Sequence, residues 1–183
     1  MRIALFLMSW WLFACQPSTA QKPTTFTLTS DNLSGQATPA EGFEGCGGQN
    51  ISPQLSWVNA PEGTKSFAIT MYDPDAPTGS GWWHWLAVNL PADVTSLAQG
   101  AGNPKTPKLP EGVIQTLNDY GQSGYGGPCP PAGHGPHQYI ITIHALNSDQ
   151  LKVEATTNPA VVGFHINDNT IAKASLVFYH ETK

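Results

Sequence analysis

From residue 24 onward the hydrophobic positions fall into short alternating runs broken by glycine and proline, with one helical stretch late in the chain. Thr24 to Ser30 alternates as a strand does, and the polar, glycine-rich connection from Asp31 to Gln49 follows it. Lys65 to Tyr72 alternates again, with Phe67, Ile69 and Met71 on one side, and His84 to Leu90 reads as a central strand. Pro91 to Pro110 reads as loop with one turn of helix near Val94 to Ala98, and Val113 to Leu117 as a short strand. Residues 138–146 form the longest expected strand. Asn158-Pro159 has the signature of a helix start, a side-chain cap followed by proline at the first helical position. That helix is expected to reach Ala174 with Val162, Ile166 and Asn169 on one stripe, before Ser175 to His180 closes as a strand.

Composition agrees with a β-rich chain. Among 183 residues, 18 are glycine and 16 proline while only 11% are charged, which favours many short strands and turns over long charged helices. Nothing repeats, and the length suits one domain with its own core. The net charge of −5, with Lys and Arg totalling 8 and no basic stripe, argues against nucleic-acid binding by phosphate neutralisation.

Met1-Arg2 followed by the apolar run Ile3 to Ala14 is too short to span a bilayer and suits a secretory signal. Leu12-Phe13-Ala14-Cys15 looks like a lipobox, so residues 1–15 are expected to be a signal ending at Cys15, the lipidated N-terminus. Phe13 departs from the usual small residue, and ordinary cleavage after Ser18-Thr19-Ala20 is the alternative. Residues 16–25 then read as a flexible tether and residues 26–183 as the domain. Either way the mature chain lies outside the cytoplasm, periplasmic, anchored at the outer membrane or secreted. In that compartment two thiols of one small domain tend to pair, so Cys46 and Cys129 are expected to form a disulfide.

Two segments carry candidate chemistry. The first, Tyr72 to Pro91, reads YDPDAPTGSGWWHWLAVNLP. Pro74 and Pro77 stiffen the backbone around Asp73 and Asp75, and Thr78 to Gly81 supplies a reversal. Strand alternation beyond it sends His84 to one face and Trp83 and Trp85 to the other. The second, residues 125–139, reads YGGPCPPAGHGPHQY, a loop that cannot form a core of its own and leads straight into a strand.

DPDAP, GWWHW with its VNLP strand end, and GGPCPPAGHGPHQY together resemble the phosphatidylethanolamine-binding protein family, in its bacterial Raf-kinase-inhibitor-like branch. Asn50 to Trp57 and Pro61 to Phe67 fit the same family, and the likeness spans residues 26–180. The resemblance implies a mostly β fold, an antiparallel Greek-key sandwich with one or a few small helices, including a C-terminal one, and a ligand pocket at one end of a sheet. It carries the family's anion pocket onto Asp73, Asp75, Trp82, His84, Gly127, Pro131, His137 and Tyr139. His84 and His137 would donate N–H groups to phosphate, phosphoethanolamine or a carboxylate. The backbone near Gly126 and Gly127 would form an anion nest, and the two aspartates would accept from the imidazoles.

Other readings use the same residues. His84, His134, His137 and the aspartates contain enough ligands for a zinc or manganese site, but the Gly and Pro between them leave the spacing unspecific, and no metal or cofactor is expected. His134 reads as a solvated loop residue, and His144, His165 and His180 as structural. No serine or cysteine sits in a recognisable nucleophile elbow, so a hydrolase is disfavoured against a non-catalytic binding protein, one that regulates or inhibits another protein. The family also implies the alternative of an extracytoplasmic protease inhibitor acting by protein contact, and a homodimer. Membrane contact is expected only through the N-terminal lipid.

Overall fold

The structure, a computed structural model, describes residues 25–183. The signal, the lipidation site Cys15, the alternative cleavage at Ala20 and nearly all of the 16–25 tether lie outside the described residues.

The strands are β1 (Thr27–Thr29), β2 (Leu55–Val58), β3 (Ser66–Asp73), β4 (Trp82–Pro91), β5 (Ser96–Leu97), β6 (Ile114–Gln115), β7 (His137–Leu146) and β8 (Thr170–His180), with helix α1 (Pro159–Asn169) before the last. They form two antiparallel sheets, β1-β2-β5 and β6-β4-β3-β7-β8. Leu28, Leu55, Trp57 and Leu97 of the small sheet meet Phe67, Ile69, Met71, Trp85, Ile141, Ile143 and Phe178 of the large one in the main core. On the other face of the large sheet Ala68, Leu86, Val88 and Leu146 pack under Val162 and Ile166 of α1 and the segment carrying Leu151 and Val153. The large sheet is thus covered on both faces near β3, which explains why that strand is nearly all buried.

Strand β4 is an interior strand as expected, lying between β3 and the two residues of β6. Several boundaries differ from the sequence expectation. No helical turn forms at Val94 to Ala98; Ser96 and Leu97 pair with β2, and the carbonyl of Thr95 accepts from Trp57. Helix α1 stops at Asn169, five residues short of the expected end. Asn158 caps it through the Ala160 amide, but at Thr170 the backbone turns extended and joins β7 in a ladder from Leu146 back to His137. Tertiary pairing overrides the helical period there, and β8, at 11 residues, becomes the longest strand.

Alternation along β4 also breaks. Met71 pairs with Trp85 while its neighbour Tyr72 pairs with Trp83, so His84 is an extra residue in a β-bulge. Trp83 keeps to the helix-covered face, whereas Trp85 joins the main core on the side that His84 faces. A second bulge lies at Val88-Asn89, where Asn89 takes a left-handed φ of 64°.

Candidate functional site

The C-terminal end of β3 and the N-terminal ends of β4 and β7 meet at one end of the large sheet, and each brings side chains to the same cleft. Asp73 closes β3, Trp82 and His84 open β4, and His137 and Tyr139 open β7. The walls are completed by Ala76, Pro77 and Thr78 from the turn after β3, by Tyr120, and by Cys129, Pro130 and Pro131. The volume is about 280 Å³, enough for a head group and too little for a whole lipid.

The acid-base groups in the cleft are removed from water: Asp73 is 3% exposed, His84 2% and His137 4%. Asp73 Oδ2 accepts from His137 Nδ1 at 2.8 Å, and its Oδ1 accepts from the Asp75 amide at 2.8 Å, an Asx turn that holds the proline-flanked ledge. His84 has a different partner. Its Nδ1 lies 2.8 Å from the carbonyl oxygen of Gly126, which can only accept, so Nδ1 carries the hydrogen. Burial lowers the His84 pKa to about 4, outweighing the opposing pull of the Gly126 carbonyl and of Asp73. At neutral pH the ring is uncharged, and Nε2 is an acceptor.

Two aromatic rings frame this histidine, and a third backs one of them. Tyr120 and Tyr139 meet it edge-on at centroid distances of 5.5 and 5.1 Å, and Tyr120 stacks on Phe43 at 4.2 Å. Tyr120 donates to the carbonyl of Gly127, which fixes its position. Trp82 Nε1 is buried and has no hydrogen-bond partner, while the Tyr139 hydroxyl, also buried, lies beside the Asp73 carboxylate and the Cys129 backbone. Burial, then the nearby Asp73 charge, pushes both the Tyr120 and Tyr139 phenols well above the usual tyrosine range, so both stay neutral. The indole N–H of Trp82 is left unpaired within the protein, a costly arrangement for a buried donor.

Of the eight residues carried over from the resemblance, six line the cleft: Asp73, Trp82, His84, Pro131, His137 and Tyr139. Asp75 and Gly127 do not. Asp75 is exposed, and its Oδ2 accepts from the Gln138 amide, so it caps β7 instead of serving an imidazole. The Gly126 amide donates to the His84 carbonyl and the Gly127 amide to Asn50 Oδ1, which leaves neither for an anion nest. A Cβ on Gly127 would run into the backbone of Glu41, Gly42 and Phe43; glycine is there for close approach of two loops. Sequence reasoning also missed Tyr120, which belongs to no motif and reaches the cleft because Asp119 and Asn118 tie its loop to β4. The expected disulfide is present: Cys46 and Cys129 are joined with their Cα atoms 5.8 Å apart, so the wall holding Cys129 is tied to the turn at Glu44–Cys46.

The remaining histidines stand apart. His134 is exposed, its ring 5.8 Å from that of His137. His144 is buried between the hydroxyls of Thr70 and Thr170, and burial followed by the Lys173 charge lowers its pKa to about 4. No cluster of three metal-ligating side chains occurs among the described residues.

Fold and cleft together define a two-sheet antiparallel sandwich with a small, aromatic-walled cleft at one end of its larger sheet. The chain belongs to the phosphatidylethanolamine-binding protein family, whose model matches residues 29–181. It is 48% identical over 162 residues to the UPF0098 protein YbcL of Escherichia coli, covering 86% of this chain and 88% of that protein. The crystal structure of YbcL superposes with a TM-score of 0.84 over 86% of this chain and 99% of that one. The E. coli UPF0098 protein YbhB is 51% identical over 136 residues, 73% of this chain and 85% of that protein. LppC of Mycobacterium tuberculosis, which carries a lipoprotein name, is 34% identical over 133 residues, 73% of this chain and 60% of that protein.

Proposed function

We propose that the protein binds a small oxyanion, such as a phosphate head group, in this cleft and performs no chemistry on it. The reading rests on the unpaired indole N–H of Trp82 and on the Tyr139 hydroxyl, neutral donors of two side chains that line the cleft, which a ligand oxygen would engage. His137 is a third side chain at the ligand, its ring held in place by Asp73 through Nδ1. A binding role is favoured over hydrolysis by what has become of the candidate nucleophiles in the wall. Thr78 donates to the carbonyl of Gly81, and Cys129 is in the disulfide.

The family's name and the signal-like N-terminus support a regulatory binding protein of the extracytoplasmic space, and the likeness to LppC favours the lipid-anchored form. Calorimetric titration with inorganic phosphate and phosphoethanolamine tests the site. The wild type should bind, and His137→Ala should lose about ten- to a hundredfold, the worth of one charge-assisted hydrogen bond. Unchanged affinity in the variant would remove the site.

A further inference from the structure

The hydrogen-bonding inventory of the cleft is mixed in a way that bears on which oxyanion it takes. On the donor side stand Trp82 Nε1 and the Tyr139 hydroxyl. On the acceptor side stand the Asp73 carboxylate and His84 Nε2, the latter with no protein hydrogen bond among the described residues because the ring's one hydrogen is held by Gly126. No lysine or arginine lines the cleft. A fully deprotonated oxyanion would bring only lone pairs to a cleft that already holds a buried carboxylate and the lone pair of a buried imidazole.

We propose that the cleft takes its anion together with one proton, and so selects oxyanions that carry or can acquire a hydroxyl, phosphate monoesters above all, over sulfate and phosphate diesters. This rests on the anion-site reading above and narrows it. The proton comes from solvent or from the ligand and ends between a ligand oxygen and His84 Nε2 or Asp73, converting an acceptor-acceptor clash into a hydrogen bond. A phosphate monoester suits this exchange because its second pKa is about 6, so the proton is available near neutrality. Sulfate and a diester have no such proton to hold.

The groups facing His84 are few. Asp73 of β3 favours a proton on the ring, and His137 of β7 opposes one. Tyr139 of β7 and Tyr120 of the 116–125 loop stay neutral, and His134 lies beyond His137, exposed. The local balance therefore turns on Asp73, His137 and the ligand itself.

The test uses the wild-type domain with four probes: phosphoethanolamine, inorganic phosphate, sulfate and the diester glycerophosphoethanolamine. Titrations at pH 6, 7 and 8, each in two buffers of different ionisation enthalpy, count the protons exchanged. Phosphoethanolamine should take up close to one proton at pH 8, with affinity falling by up to about tenfold per pH unit above the ligand's pKa. Inorganic phosphate, which still carries a hydroxyl at pH 8, should show a shallower fall. Sulfate and the diester should bind at least tenfold more weakly than phosphate. Sulfate or diester binding as tight as phosphate, or phosphoethanolamine binding without proton uptake, overturns the proton-coupled selection while leaving an anion site standing. Binding of none of the four removes the anion site, and this inference with it.

Discussion

His84 and Gly126 hold each other twice: the imidazole Nδ1 donates to the Gly126 carbonyl at 2.8 Å, and the Gly126 amide donates to the His84 carbonyl at 2.8 Å. The pair clamps the glycine-proline loop onto β4 at the bulge. It also decides the tautomer, since a carbonyl can only accept, and with it the character of the atom that faces the cleft.

Stability should fall on acidification. His84 and His144 are each held at about 4 in the fold against 6.5 when unfolded, chiefly by burial. Between those values the unfolded chain binds more protons, so stability is full above about pH 6.5 and is lost as pH drops toward 4, by on the order of 3 kcal/mol for each ring. Urea melts at pH 7.5, 6 and 5 check it. Replacing His144 with Gln should flatten the slope; a pH-independent midpoint would contradict the assignment of both rings as buried and neutral.

Asp75 should matter for the fold and not for the ligand. Its carboxylate caps the Gln138 amide at the entrance to β7, outside the cleft. Asp75→Ala is expected to cost about 1 kcal/mol through the lost cap and to leave phosphate affinity within about twofold. A tenfold loss of affinity at unchanged stability would return Asp75 to the site.

Gly127→Ala should destabilise by about 1–3 kcal/mol, because a methyl there overlaps the Glu41 carbonyl and the chain beyond it. Thermal unfolding of the variant reads this directly. A midpoint equal to wild type would mean that the two loops part more easily than their packing implies.

Much of this was legible in the sequence, and for identifiable reasons. Phe67, Ile69 and Met71 alternate over an unbroken run, so β3 and its core face followed from period two. The capping pair Asn158-Pro159 marked the start of α1, but its end depended on pairing with β7, which no local signal near Thr170 announces. The bulge at His84 was hidden for the same reason: a bulge is a relation between two strands, and only the ladder with β3 shows that Trp85 turns to the core face. In the cleft, residue types marked by motif were found. The direction of each hydrogen bond was not, and it turned His84 from an expected donor into an acceptor and engaged both loop amides elsewhere.

The disulfide should stiffen the cleft wall. Cys46 and Cys129 are 83 positions apart, and closing so long a loop is worth about 2–5 kcal/mol. Reduction, or the pair Cys46→Ala and Cys129→Ala, should lower the unfolding midpoint accordingly. Phosphate affinity should weaken as well, since Cys129 and its neighbours Pro130 and Pro131 line the cleft. Two reactive thiols in the unfolded, unreduced domain would show that the bond does not form.

Tyr139→Phe tests the anion site most directly, because it deletes one hydroxyl of a cleft-lining residue and leaves the packed ring in place. Losing the hydroxyl's contacts with Asp73 and the Cys129 backbone should cost the fold only about 1 kcal/mol. Calorimetry with phosphate should nevertheless show affinity about ten- to a hundredfold lower than wild type, as expected for a lost hydrogen bond to a charged oxygen. Full affinity in a folded Tyr139→Phe would contradict the account.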